Sequence, residues 1–133
     1  MTPAQVHRRI VDLYPRVLAG DMDEALALVD QDVIDHRGGT QGDHHGRAAW
    51  RDKWLALLEG PQDFHDVEVT VEQNIASDDI SVNRYRSRGT HTASGRRYDV
   101  TSMDMIRVRD GRIVEHWALR DTAAIEAQLG TVS

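Results

Sequence analysis

The sequence predicts an α+β domain in which helices pack on one face of a long-stranded antiparallel sheet. Three observations carry this. Apolar residues recur at three- and four-residue intervals before Gly60-Pro61, alternate with period two from Phe64 to Leu119, and the alternating runs are separated by Asp-Asp, Ser-Gly and Asp-Gly turn pairs. All 133 residues then form one domain, long enough to bury most of its apolar surface in a single core.

Each element has its own signal. Thr2-Pro3, an N-cap with proline at the first helical position, opens a helix running to about Leu18 on Val6, Ile10, Leu13, Val17 and Leu18, and Gly20 ends it. Asp21 is expected to cap a shorter helix whose Ala25, Leu26, Leu28 and Val29 face the core. VDQDVIDHRGG reads as a short strand entering a glycine-rich loop, and Arg47 to Glu59 as a third helix with Trp50, Trp54, Leu57 and Leu58 at helical spacing. Phe64 to Ile75, Ile80 to His91, Arg96 to Arg109 and Arg112 to Leu119 are four strands, and Asp121 caps a last helix through Leu129.

Composition removes whole classes of function. Hydrophobic residues at 40% and charged residues at 29% describe an ordinary globular chain. A formal charge of −6 with both signs interspersed offers no footprint for a phosphate backbone, so no nucleic-acid partner is expected. The chain has no cysteine, which excludes disulfides, thiolate zinc sites and a cysteine nucleophile together. No apolar run approaches membrane-spanning length and no secretory signal opens the chain, so a cytoplasmic protein without membrane contact is expected.

Period two sorts the strand faces. Arg84, Arg86 and Arg88 share one side, which belongs to solvent or to a subunit interface; Asn83, Tyr85, Ser87 and His91 share the other. On the next strand Val100, Ser102, Asp104, Ile106 and Val108 form the more apolar face, on which Asp104 is the only ionisable group. Two turns are open at Asp110-Gly111. A two-residue type I′ turn pairs Asp104 with Trp117; a three-residue loop with Gly111 at the left-handed bulge position pairs it with His116, and this second reading is favoured. It puts Val114, His116 and Ala118 on the face of Asp104 and sends Glu115 to the other side.

A carboxylate beside an imidazole on an apolar face can move a proton at a carbon next to a carbonyl. Asp104 and His116 are therefore the candidate catalytic pair, with His116 as base and shuttle, Asp104 as its partner and Tyr85 donating a hydrogen bond to a developing enolate oxygen. The plainer alternatives are a structural cross-strand hydrogen bond and a packed tyrosine. Trp50 and Trp54, four apart on one helix face, are core residues or a stacking surface for a flat ring. Ser87, Ser102 and Ala118 share the inner faces and complete the expected substrate-binding set. His36, His44 and His45 with Asp35 or Asp43 could suggest a metal, but adjacent histidines in a glycine-rich loop rarely converge, and neither metal nor cofactor is expected.

With these residues in place the chain resembles the SnoaL-like proteins of the nuclear-transport-factor-two-like superfamily, the polyketide cyclase and ester cyclase group. The likeness spans nearly the whole chain and rests on DVIDHRGG, the Gly46-Arg47-Ala48 helix start, DFHDVEVTVEQNIASDD, RSRGTHT, and RDGRIVEHWALRD with AAIEAQLG. It implies a curved sheet wrapped by helices into a cone, an apolar pocket at the open end holding a small hydrophobic molecule, and a homodimer through the outer sheet face. It also implies that His36, at the end of the first strand, borders the pocket mouth.

Activity transfers less directly. The place of the family's catalytic aspartate on the last strand is Ala118, and Asp121, the next carboxylate, falls at a helix N-cap. The inward arginine and aspartate of the similar limonene epoxide hydrolases correspond to Tyr85 and Ser87, which argues against epoxide hydrolysis. The resemblance implies a cofactor-independent cyclase or isomerase acting on a polyketide-like ring, with an accessory role in ring hydroxylation or simple lipophilic-ligand binding as alternatives.

Overall fold

The computed structural model describes residues 1–37, 42–59 and 63–130. Its elements are α1 (Pro3–Leu18), α2 (Asp23–Leu26), β1 (Val29–His36), β2 (Asp43–His45), α3 (Arg47–Ala56), β3 (Phe64–Ser77), β4 (Ile80–His91), β5 (Arg97–Arg109), β6 (Arg112–Arg120) and α4 (Thr122–Leu129). The six strands form one curved, unclosed sheet in the order β2-β1-β6-β5-β4-β3, with β1 parallel to β6 and every other pair antiparallel. Extra residues interrupt the ladders within β1, β3 and β6, and such bulges bend and twist a strand locally.

The helix signals hold at three of four starts. Thr2 caps α1 in a capping box with Gln5, Pro3 occupies the first turn, and the Asp121 carboxylate accepts the Ala124 N–H at 2.9 Å to open α4. Asp21 does not cap α2. Its carboxylate is taken by Arg16 at 2.9 Å, Met22 stands at the cap without a side-chain bond, and Val29 begins β1 instead of closing a helix. Two further boundaries differ: α3 ends at Ala56, and Asp43–His45, read as loop, pairs with β1 as an edge strand.

The hairpin between β5 and β6 follows neither register considered above. Arg109 faces Arg112 across a two-residue Asp110-Gly111 turn with φ of 53° and 73°, as a type I′ turn requires. Val108 then faces Ile113 while Arg107 faces Glu115, so Val114 is an unpaired bulge residue and Asp104 comes opposite Ala118. The bulge restores the parity of the favoured reading. His116 and Ala118 therefore lie on the face of Asp104 and Glu115 on the other, but the fully buried Ile113 replaces Val114 in the core.

Helices cover one face of this sheet. Val6, Leu13 and Val17 of α1, Met22, Ala25, Val29, Val33, Trp50 and Trp54 close on Ile106, Val108 and Ile113, each fully buried aliphatic side chain contributing about 1.5–3 kcal/mol. A second cluster of Tyr98, Val100 and Leu129 holds α4 against β5, with Phe64 and Ile125 at its edge. Gly89 makes this possible: a Cβ there would meet Tyr98 Cε1 at 2.8 Å, so only glycine lets the ring lie across the neighbouring strand. Among the described residues no helix is long and apolar enough to cross a membrane.

Candidate active site

Five elements converge on a chain of charged groups at the inner sheet face. Parallel pairing sets Asp35 of β1 beside His116 of β6, and the β5–β6 register sets Asp104 one step diagonally away. His116 Nδ1 lies 2.9 Å from Asp35 Oδ1, and His116 Nε2 lies 3.4 Å from Asp104 Oδ2, so one imidazole stands between two carboxylates. Helix α1 brings His7, whose Nε2 lies 3.0 Å from Asp104 Oδ1 and whose Nδ1 lies 2.8 Å from Ser81 Oγ. From α3, Lys53 donates to Asp35 Oδ2 at 2.9 Å, and Arg37 Nε donates to the same oxygen at 3.1 Å.

Chemical inventory assigns the protons along this chain. Asn74 donates to Ser81 Oγ at 2.9 Å, which frees the serine proton for His7 Nδ1. His7 then carries its hydrogen on Nε2 and donates it to Asp104. Burial alone would raise the Asp104 pKa, but hydrogen bonds from His116 and His7 outweigh it and hold the carboxyl down at about 2. Asp35 is likewise held well below the usual carboxylate range against the pull of burial, by His116 and Lys53. Burial would discharge His116, yet its bonds to Asp104 and Asp35 prevail and its pKa rises. Both carboxylates therefore favour the charged form of the imidazole that lies between them.

Aromatic rings wall it. Trp50 meets His116 edge-on at 5.2 Å between centroids, Trp54 meets Trp50 edge-on at 5.8 Å, and the Lys53 ammonium sits 3.6 Å over the Trp50 ring. Residues 50, 53 and 54 share one helix face, which explains why α3 delivers all three together. Burial depresses the Lys53 pKa despite Asp35, while Tyr85 is pushed up by burial and by Asp104. Exposure shows where the chain opens: the side chains of His7 and Asp35 are 0% and 5% accessible, those of His116 and Asp104 16% and 18%. Two open surface depressions, of about 650 Å³ along Asp23, Gln31 and Arg51 and about 310 Å³ along Ile34, Arg109 and Glu115, lie apart from it.

The SnoaL-like polyketide cyclase pattern matches residues 4–129, from the second residue of α1 to the last of α4. The chain belongs to the SnoaL-like polyketide cyclase family. It is similar to wild-type IdmH, a candidate polyketide cyclase of Streptomyces antibioticus, at 31% identity over 98% of this chain and 99% of that one, with a TM-score of 0.77. A SnoaL-like polyketide cyclase candidate from a Jannaschia species superposes at a TM-score of 0.80 with 18% identity, covering 98% of this chain and 93% of that one. AclR, a candidate hydroxylase of Streptomyces galilaeus, superposes at 0.76 with 18% identity, covering 98% and 97%. The last two likenesses show the fold alone. No curated protein matches the chain.

Within this SnoaL-like fold the expected site residues separate into three groups. Asp104, His116, Trp50 and Trp54 come together as described, and Tyr85 and Ser102 face each other in the adjoining row of the inner face, with Ala118 opposite Asp104. Ser87 sits further along, its hydroxyl 3.1 Å from that of Tyr98 and so drawn to the second cluster. His36 is elsewhere. It lies on the outer face, stacked on Trp117 at 4.8 Å and bonded to Glu115 at 2.8 Å and Asp43 at 3.1 Å, because an odd step along β1 from Asp35 reverses the side. Arg86 of the arginine row is paired with Asp99 at 2.6 Å on that outer side. Among the described residues no group of three or more His, Asp or Glu is arranged to hold a metal ion.

Lys53 and Arg37 were not expected at the site, and neither were its two most buried members, His7 and Asp35, the latter weighed from sequence only as a metal partner. Both carried a signal: His7 precedes Ile10 by three and Tyr14 by seven on the buried stripe of α1, and Asp35 alternates with buried Val33. A polar residue in phase with a core stripe is the thing to search for.

The charge state has a measurable consequence. Asp104, held near 2 against an unfolded value of about 3.9, stabilises the fold above about pH 4, and this is lost as pH falls toward 2. His116, raised, stabilises fully below about pH 6.5 and loses this as pH climbs through its folded pKa. The network is thus strongest between roughly pH 4 and 6.5. Imidazole NMR should show His116 protonated past the midpoint of a free histidine, and Asp35→Asn should bring that midpoint down; a ring titrating at the free value in both proteins would refute the charge assignment.

Proposed function

We propose that the protein is a cofactor-independent cyclase or isomerase that transfers protons on a hydrophobic, polyketide-like ring bearing a carbonyl. The observation that carries this is the imidazole held between two carboxylates, tight to the sheltered Asp35 at 2.9 Å and loose to the accessible Asp104 at 3.4 Å. The long contact is the exchangeable one. A ligand carbonyl oxygen can take the Nε2–H of His116, while Asp104 Oδ2, released from the imidazolium, accepts the proton from the adjacent carbon. Charge developing on the enolate oxygen is met by the imidazolium and by the Tyr85 hydroxyl, so the carboxylate regains basicity as the transition state forms.

This exchanges the roles expected from sequence. Two acids on one ring favour its charged form, so His116 serves first as the acid and Asp104 as the base. Trp50 and Trp54, only 4% and 5% exposed, back the imidazole from the core side, and Ala118 lies in the row beside Asp104. The test is deuterium uptake at the carbon next to the carbonyl of a tetralone-type aryl ketone in heavy water, followed by proton NMR. Wild type should exchange it well above the buffer rate and His116→Asn should not. Ligand binding without exchange in the wild type would reject catalysis, and turnover only with an electron-supplying partner would favour the hydroxylation role.

We further propose that a second copy covers the outer sheet face. Ile75, Met103 and Leu119 project there with 62%, 44% and 76% of their surfaces exposed, and Met103 lies directly opposite Leu119. Light scattering should give a dimer for the wild type and a monomer for a Met103→Glu/Leu119→Glu variant. A wild type that stays monomeric at high concentration would end this assignment.

A further inference from the structure

Arg120 enters the account from the unused end of β6. Tyr85 faces Ser102 and Ser102 faces Arg120, so these residues form one row across the inner sheet face, next to the row of Asn83, Asp104 and Ala118. The Arg120 guanidinium lies at the end of this row, near enough to the Tyr85 and Tyr14 phenols for its charge to oppose the rise that burial imposes on them. Arg120 has no carboxylate within ion-pair distance among the described residues. Asp121, its neighbour in sequence, is committed to capping α4.

The charges around this row do not cancel. Arg37 and Arg120 are fixed cations, Lys53 joins them as the ammonium salt-bridged to Asp35 although burial and the two guanidinium groups disfavour its charge, and they face two carboxylates, Asp35 and Asp104. The excess is positive with His116 neutral and larger with it charged. Arg37 also keeps a buried Nη2 without a hydrogen-bond partner among the described residues. The residues outside the described set, GGTQ, GPQ and TVS, contribute no charged side chain that could balance it. Glu115 and Asp43 are bound to His36 on the opposite face.

We infer that the ligand of this site is an anion: a flat ring carrying an oxyanion, carboxylate or enolate, seated between Arg120, the Tyr85 hydroxyl and Lys53. An uncompensated cluster of cations beside a partly desolvated network is stabilised when a negative group enters it, and guanidinium with a phenol proton suits a planar oxyanion. The inference rests on the proposed function only in placing the ligand at the inner face, and it narrows that ligand from any hydrophobic ketone to an acidic one.

Binding separates the two ideas. Tryptophan fluorescence or calorimetry would compare naphthoate with naphthamide, and the lawsone anion with its neutral methyl ether, on the wild type and on Arg120→Gln, whose exposed strand-end position leaves folding unaffected as circular dichroism would verify. At least one anion should bind about tenfold or more tightly than its neutral partner, the preference falling with salt and collapsing in Arg120→Gln while the neutral compound binds both proteins alike. Whichever anion shows the preference identifies carboxylate or enolate as the recognised group. Equal affinity within both pairs, a preference that survives Arg120→Gln, or no binding of any of the four overturns the inference. Exchange on the neutral tetralone, measured separately, would still stand or fall by itself.

Discussion

Asp35→Ala is expected to cost about 3–5 kcal/mol of folding stability, the largest loss from any single polar truncation in the site. Its carboxylate is the common acceptor for His116, Lys53 and Arg37, and the residue is 4% exposed. Alanine would leave a buried ammonium and a guanidinium around a small void with no anion and the imidazole with Asp104 alone, and burial already depresses the Lys53 pKa with Asp35 present. Asp35→Asn should cost less, because an amide oxygen still accepts one of these bonds. Urea denaturation of the three proteins at neutral pH decides the matter. An alanine variant within about 1 kcal/mol of wild type would mean that solvent, not Asp35, neutralises the cluster.

Asp104→Asn is expected to slow proton exchange by about 10²- to 10⁴-fold while ring binding persists, since the amide keeps the shape but cannot take a proton. Its stability cost should be small, because an asparagine oxygen still accepts from His7. Replacing His7 separates positioning from catalysis. His7 is 0% exposed and touches only the far oxygen of Asp104, so His7→Gln should keep exchange but move the acid limb of its pH profile upward, as Asp104 loses one of the two bonds that hold its pKa near 2. An unchanged acid limb would make His7 a packing residue. Full exchange in Asp104→Asn would move the base elsewhere and reject the chemistry proposed above.

How much of this was legible in the sequence depends on the kind of information each feature uses. The four long segments of alternation, the Thr2 and Asp121 caps and the glycine at Asp110-Gly111 are local signals, and the structure follows them. Register is not local. Val114 leaves no mark as a bulge residue, since its alternation with His116 is as regular as that of Ile113 with Glu115; only the packing of Ile113 under α1 and α2 selects it. The shared face of Asp104 and His116 was read through a loop that is not there, and the two one-residue differences cancel in parity. Asp35 escaped because its neighbour in space is defined by a parallel pairing that no sequence period announces, and His36, next to it in sequence, was implied by the resemblance instead. His7 escaped because a histidine among Val6, Ile10 and Leu13 reads as the polar edge of an amphipathic helix.

The parallel contact between β1 and β6 has a consequence for how the molecule assembles. Separations of 81 residues between Asp35 and His116 and 97 between His7 and Asp104 mean that no hairpin, however stable, can complete the proton chain. Closing loops of that span comes at a high entropic cost before any contact repays it, so the first strand should dock against an antiparallel meander that has already formed. A nascent chain halted before its sixth strand would own every helix but the last and still lack a single finished carboxylate–imidazole contact with Asp35.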